Sequence, residues 1–171
     1  MYRHSARLTT AIFALTCLVS ACGFQLRGTG GTGLPEEWKS MYLATSSPNS
    51  ELSRELSSNF SANGILWVDS DQANFTLNLG PERFNQRNLS INSQARASEF
   101  ELSLTAEFSV LNAGRIPVIE NSTASVVKQM ENDPRNVVGK AEEIRILKDE
   151  MRTELVQQIM RRIGYFATST Q

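Results

Sequence analysis

Apolar and polar residues alternate over a long stretch in the middle of the chain. Six apolar residues occupy every second position from 100 to 110, namely Phe100, Leu102, Leu104, Ala106, Phe108 and Val110. A period of two predicts a strand with one buried face and one wet face, as is common in antiparallel sheets. Shorter strand-like segments lie at 41–44 and 75–79, and a turn at 112–115 leads into a further strand at 116–129.

A first helix is predicted where apolar residues recur every four positions. Leu52, Leu56 and Phe60 form one narrow stripe. Either Asn49 or Ser50 can cap its start, and residues 63–64 (Asn-Gly) supply a stop signal. We therefore predict a helix that lays a narrow apolar stripe on the sheet.

A second, longer helix is predicted to begin near Asp133, followed by proline. Its apolar residues are Ile144, Leu147, Met151, Leu155, Ile159 and Ile163. Four charged residues are predicted on its exposed side, namely Glu142, Arg145, Asp149 and Arg152, and Gly164 is predicted to end the helix. The element order β-α-β-β-β-α predicts an α+β fold, with two helices on one face of a mostly antiparallel four-stranded sheet.

The N-terminus has the pattern of a bacterial lipoprotein signal. Arg3, His4 and Arg7 precede an apolar run at 8–21, which is shorter than the roughly 20 residues of a transmembrane helix. The run ends in Val-Ser-Ala-Cys, which looks like a lipoprotein box in which Cys22 is acylated. We predict a signal peptide at 1–21, a lipidated cysteine and Gly-rich tether at 22–37, and one domain at 38–171. Similarity to bacterial lipoproteins, with Gly23 after the cysteine, implies the outer membrane.

The predicted mature chain has little catalytic chemistry available. Cys17 and His4 lie in the predicted signal peptide, so no histidine and no free thiol would remain. Zinc sites built on Cys or His, and Ser-His-Asp triads, are thereby excluded for that chain, and we expect no cofactor and no metal. Removing Arg3 and Arg7 leaves 15 Lys and Arg against 18 Asp and Glu, a formal net charge of −3 that does not suggest nucleic acid.

Two sets of charged residues are candidates for chemistry. Glu99, Glu101 and Glu107 share one strand face, where a carboxylate pair could hydrolyse a glycan, but alternation places them on the solvent face. Seven basic residues between 82 and 140 are balanced by seven acids. A subset could still converge at one sheet edge and bind phosphate. The seven are Arg83, Arg87, Arg96, Arg115, Lys128, Arg135 and Lys140.

Three stretches resemble the LPS-assembly lipoprotein LptE family. They are 22–28 (CGFQLRG), 99–102 (EFEL, with Phe100 in place of the family's tyrosine) and 132–134 (NDP) followed by Val138, Lys140, Glu142, Glu143 and Met151. The resemblance covers nearly the whole predicted mature chain. It implies a non-enzymatic, lipid-anchored protein on the periplasmic side of the outer membrane. Its implied role is to plug the LptD β-barrel and help it assemble, while lipopolysaccharide is inserted into the outer leaflet.

The resemblance also implies a basic lipopolysaccharide-binding site. Lys140 matches the family's basic residue near the start of the last helix. A second family arginine has no match, because Ser93 occupies its place, and Arg96 and Arg87 are the nearby substitutes. The other hypotheses are a lipid-tethered periplasmic binding module of the same fold and, more remotely, the glycan hydrolase.

Overall fold

The computed structural model describes residues 34–91, 97–132 and 137–169, which form six strands and two α-helices. A short 3₁₀ turn at Glu36–Lys39 precedes the first strand. The elements are β1 (Ser40–Thr45), α1 (Glu51–Ala62), β2 (Leu66–Trp67), β3 (Phe75–Leu79), β4 (Arg83–Ile91), β5 (Ala97–Asn112), β6 (Pro117–Glu131) and α2 (Val137–Ser169). The predicted α+β class is confirmed.

The sheet differs from the predicted one in strand number and in direction. It has six strands instead of four, and β4 and the short β2 are the additions. Strand β1 runs parallel to β2 and β3, whereas β5 is antiparallel to β3, β4 and β6. The parallel pairs arise because α1 carries the chain back to the end of the sheet from which β1 started. The expectation of a four-stranded, mostly antiparallel sheet is therefore wrong, and the sheet is mixed.

Strands β3 and β4 follow one another along the same edge of β5. β3 pairs with β5 as far as Leu79, opposite Phe108, and β4 begins at Arg83, opposite Thr105. At the break between them, the Gly80 N–H donates to the carbonyl of Glu107 at 2.9 Å. A Cβ on Gly80 would lie 3.2 Å from that oxygen, so glycine permits the close approach. Strand β6 occupies the other edge of β5.

The buried face of the sheet and both helices form one apolar core. The alternating residues predicted to be buried on β5 are buried, from Leu102 to Val110. The stripe of α1 is buried as predicted, and the Ser50 hydroxyl caps this helix by accepting from the Ser53 N–H at 3.1 Å. Leu34, in the segment predicted as tether, also belongs to the core.

Helix α2 buries a wider surface than its sequence pattern predicts. Besides the expected row through Met151 and Leu155, a second row one residue further on is buried, comprising Arg152, Val156 and Met160. This row faces α1, because α2 packs against that helix as well as against β6 and β5. One stripe cannot serve both contacts. Arg152, predicted to be exposed, is therefore buried, and that prediction was wrong.

The predicted end of α2 at Gly164 was also wrong. The helix continues to Ser169, and Ala167 in this last part is almost completely buried. A glycine inside a helix costs about 1 kcal/mol relative to alanine. Packing of the last turns outweighs that cost. None of the helices in the described ranges has both the length and the apolar composition to cross a membrane.

Side chains of α2 cover part of the outer edge of β6. The Ser125 N–H donates to the Gln158 side-chain oxygen at 3.0 Å, and Arg162 donates to the Thr123 carbonyl at 2.8 Å. Neighbouring residues of a strand direct their backbone groups to alternate edges, so Thr123 and Ser125 use the edge that faces away from β5. Two backbone groups that a further strand could pair with are thus occupied.

Candidate functional site

The face of the sheet opposite the helices carries small polar side chains. The helices cover the other face, where the Lys128 side chain bonds Glu150 and Glu154 of α2 at 3.0 and 2.7 Å. The residues that alternate with the buried ones lie on the face opposite the helices and are partly or fully exposed. The small polar ones are Thr76, Asn78, Asn85, Ser103, Thr105, Ser109, Thr123 and Ser125. The predicted wet face is confirmed, and we call it the polar face.

Lys140 lies in the first turns of α2, beside the beginning of β5. Its ammonium group is 5.2 Å from the centre of the Phe100 ring, an arrangement typical of a cation–π contact. It also donates to the side-chain oxygen of Asn132, just after β6. Phe100 pairs with Met130 of β6, so Lys140 is held where β5 begins and β6 ends. The half-buried stem and the defined contacts hold its charge in one place at this end of the sheet.

Arg87 lies on the opposite face of the sheet from Lys140. It pairs with Glu101 across β4 and β5 and donates two hydrogen bonds to that carboxylate, at 2.6 and 2.8 Å. These bonds hold the pKa of Glu101 below its ordinary value. Since Phe100 and Glu101 are adjacent in the strand, their side chains lie on opposite faces. The structure therefore does not bring Arg87 and Lys140 together. Cys22 and Arg96 lie outside the described residues.

The three glutamates considered for hydrolysis are engaged with neighbouring side chains on the polar face. Glu99 accepts from Ser90 at 2.9 Å, and Glu101 is paired with Arg87. Glu107 adjoins a cavity of about 200 Å³ and lies 3.4 Å from Arg83, but neither other glutamate lines that cavity. Because Glu107 does not share this cavity with Glu99 or Glu101, the geometry does not favour the hydrolase.

A charged cluster around Arg152 was missed by sequence reasoning. The guanidinium donates to Glu82 at 2.8 and 3.0 Å and to Asp149 at 2.8 Å, and it lies 2.7 Å from Glu51. It thus joins α2, the start of α1 and the segment before β4. The hydrogen bond from Arg152 holds the pKa of Glu82 below its ordinary value, although burial acts in the opposite direction; Lys148 also lowers it. The sequence offered one indication that Arg152 could be buried, since it directly follows Met151, a residue of the predicted apolar stripe of α2.

Glu82→Gln is expected to destabilise the fold in a pH-dependent way. A carboxyl with a lowered folded-state pKa stabilises the fold above its unfolded pKa of about 4.3, and this contribution is lost as the pH falls through the folded value. At pH 7 we expect a loss of about 1–2 kcal/mol, which shrinks towards pH 3. Urea unfolding followed by circular dichroism at both pH values measures it. The exposed Glu143→Gln is the control, and a loss for Glu82→Gln that stays constant with pH would contradict the assignment.

Two grooves flank the C-terminal part of α2. One, of about 550 Å³, lies between α1 and α2 and is lined mainly by polar side chains, including Asn59, Gln157 and Arg161. The other, of about 340 Å³, is lined by Trp38, Phe75, Asn112, Val118 and Phe166, among others. The described part of the chain contains no group of three or more His, Cys, Asp or Glu residues arranged to hold a metal ion.

Comparison with known proteins gives consistent matches. Residues 38–163 match a family model described as "LptE: Lipopolysaccharide-assembly". The chain is 30% identical over 164 residues to the LPS-assembly lipoprotein LptE of Yersinia pestis (strain Pestoides F) and equally to that of Yersinia pseudotuberculosis (serotype O:1b, strain IP 31758). Each match covers 94% of this chain and 76% of the relative.

Solved structures of lipoproteins have a similar fold. Rare lipoprotein B of Shewanella oneidensis aligns with a TM-score of 0.67 and 22% identity, covering 76% of this chain and 97% of that one. A lipoprotein B of Nitrosomonas europaea aligns with a TM-score of 0.72 and 21% identity, covering 85% and 93%. These similarities support the mixed-sheet α+β fold described above.

Proposed function

Because the chain belongs to the LptE family of lipopolysaccharide-assembly proteins, we propose that it is an outer-membrane lipoprotein that plugs the LptD β-barrel. In this role it helps the barrel to assemble and takes part in inserting lipopolysaccharide into the outer leaflet. It acts by binding and positioning rather than by catalysis. Cys22 carries the acyl chains that hold it on the periplasmic side of the membrane.

The polar face is the observation that carries the plug proposal. The lumen of a large outer-membrane barrel is polar and water-filled. A sheet surface of Ser, Thr and Asn side chains, with bonds such as that from Asn78 to Ser109 at 3.0 Å, is chemically compatible with such walls. Short side chains on a rigid sheet also lose little conformational entropy on contact. The polar face therefore suits a barrel interior better than an apolar partner.

Lipidation at Cys22 would support the same role. Two acyl chains suffice to hold a protein on a membrane, with each buried CH₂ contributing about 0.8 kcal/mol. Anchored there, the domain searches for its barrel near the membrane instead of in the whole periplasm. Tethering of this kind raises the effective concentration of the pair without any new contact.

Lys140 is our proposed contact for lipopolysaccharide phosphates. A lysine ammonium is a compact charge that binds phosphate well, and here its contacts with Phe100 and Asn132 fix its position. Arg96 and Arg87 remain the two proposed additional contacts. Arg87 would have to reach the lipid from the polar face and would have to share its charge with Glu101.

Photo-crosslinking from the polar face tests the plug proposal. A crosslinking amino acid at Ser103 or Ser109 of the tagged, lipidated protein is expected to capture a large β-barrel protein from outer membranes, identified by mass spectrometry. The same amino acid at the exposed helical position Glu143 is the matched comparison and should give weaker capture. If no barrel co-purifies from membranes rich in the protein, the plug proposal fails. That result is expected of another lipid-tethered binding module of this fold.

A further inference from the structure

Strand β4 leaves one edge of the sheet without a neighbouring strand. In the part of the chain that the structure describes, β4 pairs with β5 and with no other strand. The residues at 85–89 are all exposed, so neither face of β4 is covered along this stretch. The strand is therefore held mainly by its bonds to β5, and we call its other edge the open edge.

The register shows which backbone groups point to the open edge. Glu107 accepts from the Gly80 N–H, so its backbone groups point towards the edge of β5 that β3 and β4 share. Neighbouring residues of a strand use alternate edges, so Ser103, four positions before Glu107, points the same way, towards its partner Asn85. The residues of β4 that alternate with Asn85 therefore direct their backbone groups to the open edge. They are Phe84, Gln86 and Asn88.

The two outer edges on either side of β5 differ in how they are covered. On β6, side chains of Gln158 and Arg162 bond the outward backbone groups of Ser125 and Thr123. On β4, no side chain or backbone group of the described residues bonds the groups that point to the open edge. The molecule thus covers one edge from within and leaves the other available.

Features that protect an edge strand from pairing are weak along this stretch. Bulges twist an edge away, but the irregularities of β4 come only after Asn88. Charged side chains also discourage pairing, yet the Arg87 guanidinium is already bonded to Glu101. Proline does not occur in β4. The six residues from Arg83 to Asn88 therefore form a regular edge, about 20 Å long, that can accept a further strand.

The chemistry of the open edge selects an extended polypeptide as its partner. Three residues each offer an N–H and a carbonyl at intervals of about 7 Å, and the backbone of another strand matches this spacing. The side chains beside these groups are polar on both faces, with Gln86 and Asn88 on the helix side and Asn85 on the polar face. A partner segment with polar side chains on both faces is therefore expected, as suits a water-filled lumen.

A second copy of this chain fits the open edge poorly. In an antiparallel pairing of β4 with itself, opposite residues lie on the same face, so Arg83 and Arg87 of both copies would meet on the polar face. Arg83 is 72% exposed and only 3.4 Å contact with Glu107 offsets its charge. No acidic residue of β4 could compensate the four guanidinium groups. A segment of a different protein avoids this repulsion.

We propose that the open edge of β4 adds a strand from the barrel protein, with backbone bonds to Phe84, Gln86 and Asn88. This inference rests on the proposed plug function and adds a mode of contact to it. The wall of a barrel is a closed sheet without free edges, so the added strand comes from a loop or a terminal segment outside the wall. Asn85 belongs to both β4 and the polar face, so strand addition and the side-chain contacts of the polar face can form together.

Proline substitutions in β4 test the strand addition. Gln86→Pro removes an N–H that points to the open edge, which an edge strand tolerates, whereas Asn85→Pro removes one that faces β5. The tagged, lipidated chain with Gln86→Pro is expected to melt close to the unsubstituted protein. Its capture of a large β-barrel protein from detergent-solubilised outer membranes is expected to fall about fivefold or more. Gln86→Ala removes only the side chain and should leave capture unchanged, and Asn85→Pro should lower the melting temperature strongly.

A crosslinking experiment gives a readout that does not depend on a proline. A photo-crosslinking amino acid at Gln86 keeps the backbone intact and is expected to label one short segment of the barrel protein outside its wall. Mass spectrometry of the crosslinked peptides identifies that segment. Labelling confined to strands of the barrel wall would contradict strand addition.

The outcomes separate this inference from the proposed function. Undiminished capture by folded Gln86→Pro protein would overturn strand addition and leave the plug proposal intact. A melting temperature lowered as much by Gln86→Pro as by Asn85→Pro would overturn it too, because the edge would then not be open. So would a dimer of the unsubstituted protein that Gln86→Pro converts to a monomer in light scattering. If the unsubstituted protein captures no barrel, both the inference and the plug proposal fail.

Discussion

Arg152→Ala is expected to lower the free energy of unfolding by about 3 kcal/mol. Only 5% of the Arg152 side chain is exposed, and its guanidinium is bonded to three carboxylates from different parts of the chain. Without it, Glu82, whose side chain is only 18% exposed, loses its main partner and keeps only Lys148, at 3.1 Å, to compensate its charge. Urea unfolding of the unsubstituted protein and of the variant at pH 7, followed by far-ultraviolet circular dichroism, measures the loss.

Arg145→Ala is the matched control for this experiment. Arg145 lies two turns earlier on α2 and also contacts two carboxylates, Glu142 at 2.6 Å and Asp149 at 3.0 Å, but its side chain is 61% exposed. Exposed pairs of this kind contribute at most about 0.5 kcal/mol. Equal losses for the two variants would show that burial does not decide the strength of the Arg152 contacts, and our account of the cluster would be wrong.

Lys140→Glu is expected to weaken lipopolysaccharide binding about tenfold or more, because a charge-assisted hydrogen bond to phosphate contributes about 1.5–3 kcal/mol and the new carboxylate repels phosphate. The fold should remain stable, since a negative charge in the first turn of a helix interacts favourably with its dipole. Capture of lipopolysaccharide by the immobilised protein gives the affinity, and a thermal melt gives the stability.

Two further variants make the Lys140 result specific. Lys140→Arg keeps the charge above Phe100 and should retain most of the binding. Arg87→Gln removes one of the proposed additional contacts and should weaken binding, but less than Lys140→Glu does, since Arg87 already shares its charge with Glu101 on the other side of the sheet. A loss with Arg87→Gln as large as that with Lys140→Glu would mean that the lipid reaches both faces. Unchanged binding by Lys140→Glu would refute the proposed contact.

Segments with a clean period were predictable from the sequence alone. The eleven alternating residues around Leu104 place a strand and identify its buried face, and the structure extends that strand only at its ends. Helix α1 was predictable because its stripe, its Ser50 cap and its Asn63 stop all agree. In each case the local pattern and the final packing impose the same arrangement.

Strand β4 could not be predicted because its sequence does not alternate. Its core-side positions opposite Leu102 and Phe100 are Gln86 and Asn88, both exposed, so no buried face can be read from the residues. The strand exists because the edge of β5 offers it hydrogen-bonding partners. The parallel arrangement of β1 and β3 was missed for a similar reason, since it depends on where α1 returns the chain.

The candidate site was predictable only in part. A basic residue early in the last helix could be identified from the family pattern as Lys140, but its contact with Phe100 required the structure. The separation of Lys140 from Arg87 depends on strand register, since a shift of one residue would exchange the two faces. The cluster around Arg152 joins residues up to 101 positions apart, from Glu51 to Arg152, and no local pattern contains that information.

The side chains of Gln158 and Arg162 on the outer edge of β6 have a consequence for the time before the protein meets a partner. A long strand with free backbone groups recruits strands of other molecules, which leads to aggregation. Here the carbonyl of Thr123 and the N–H of Ser125 are already bonded within the molecule. At the centre of its longest outer edge, the protein is therefore protected from pairing with copies of itself, which favours a monomer that is still available for assembly.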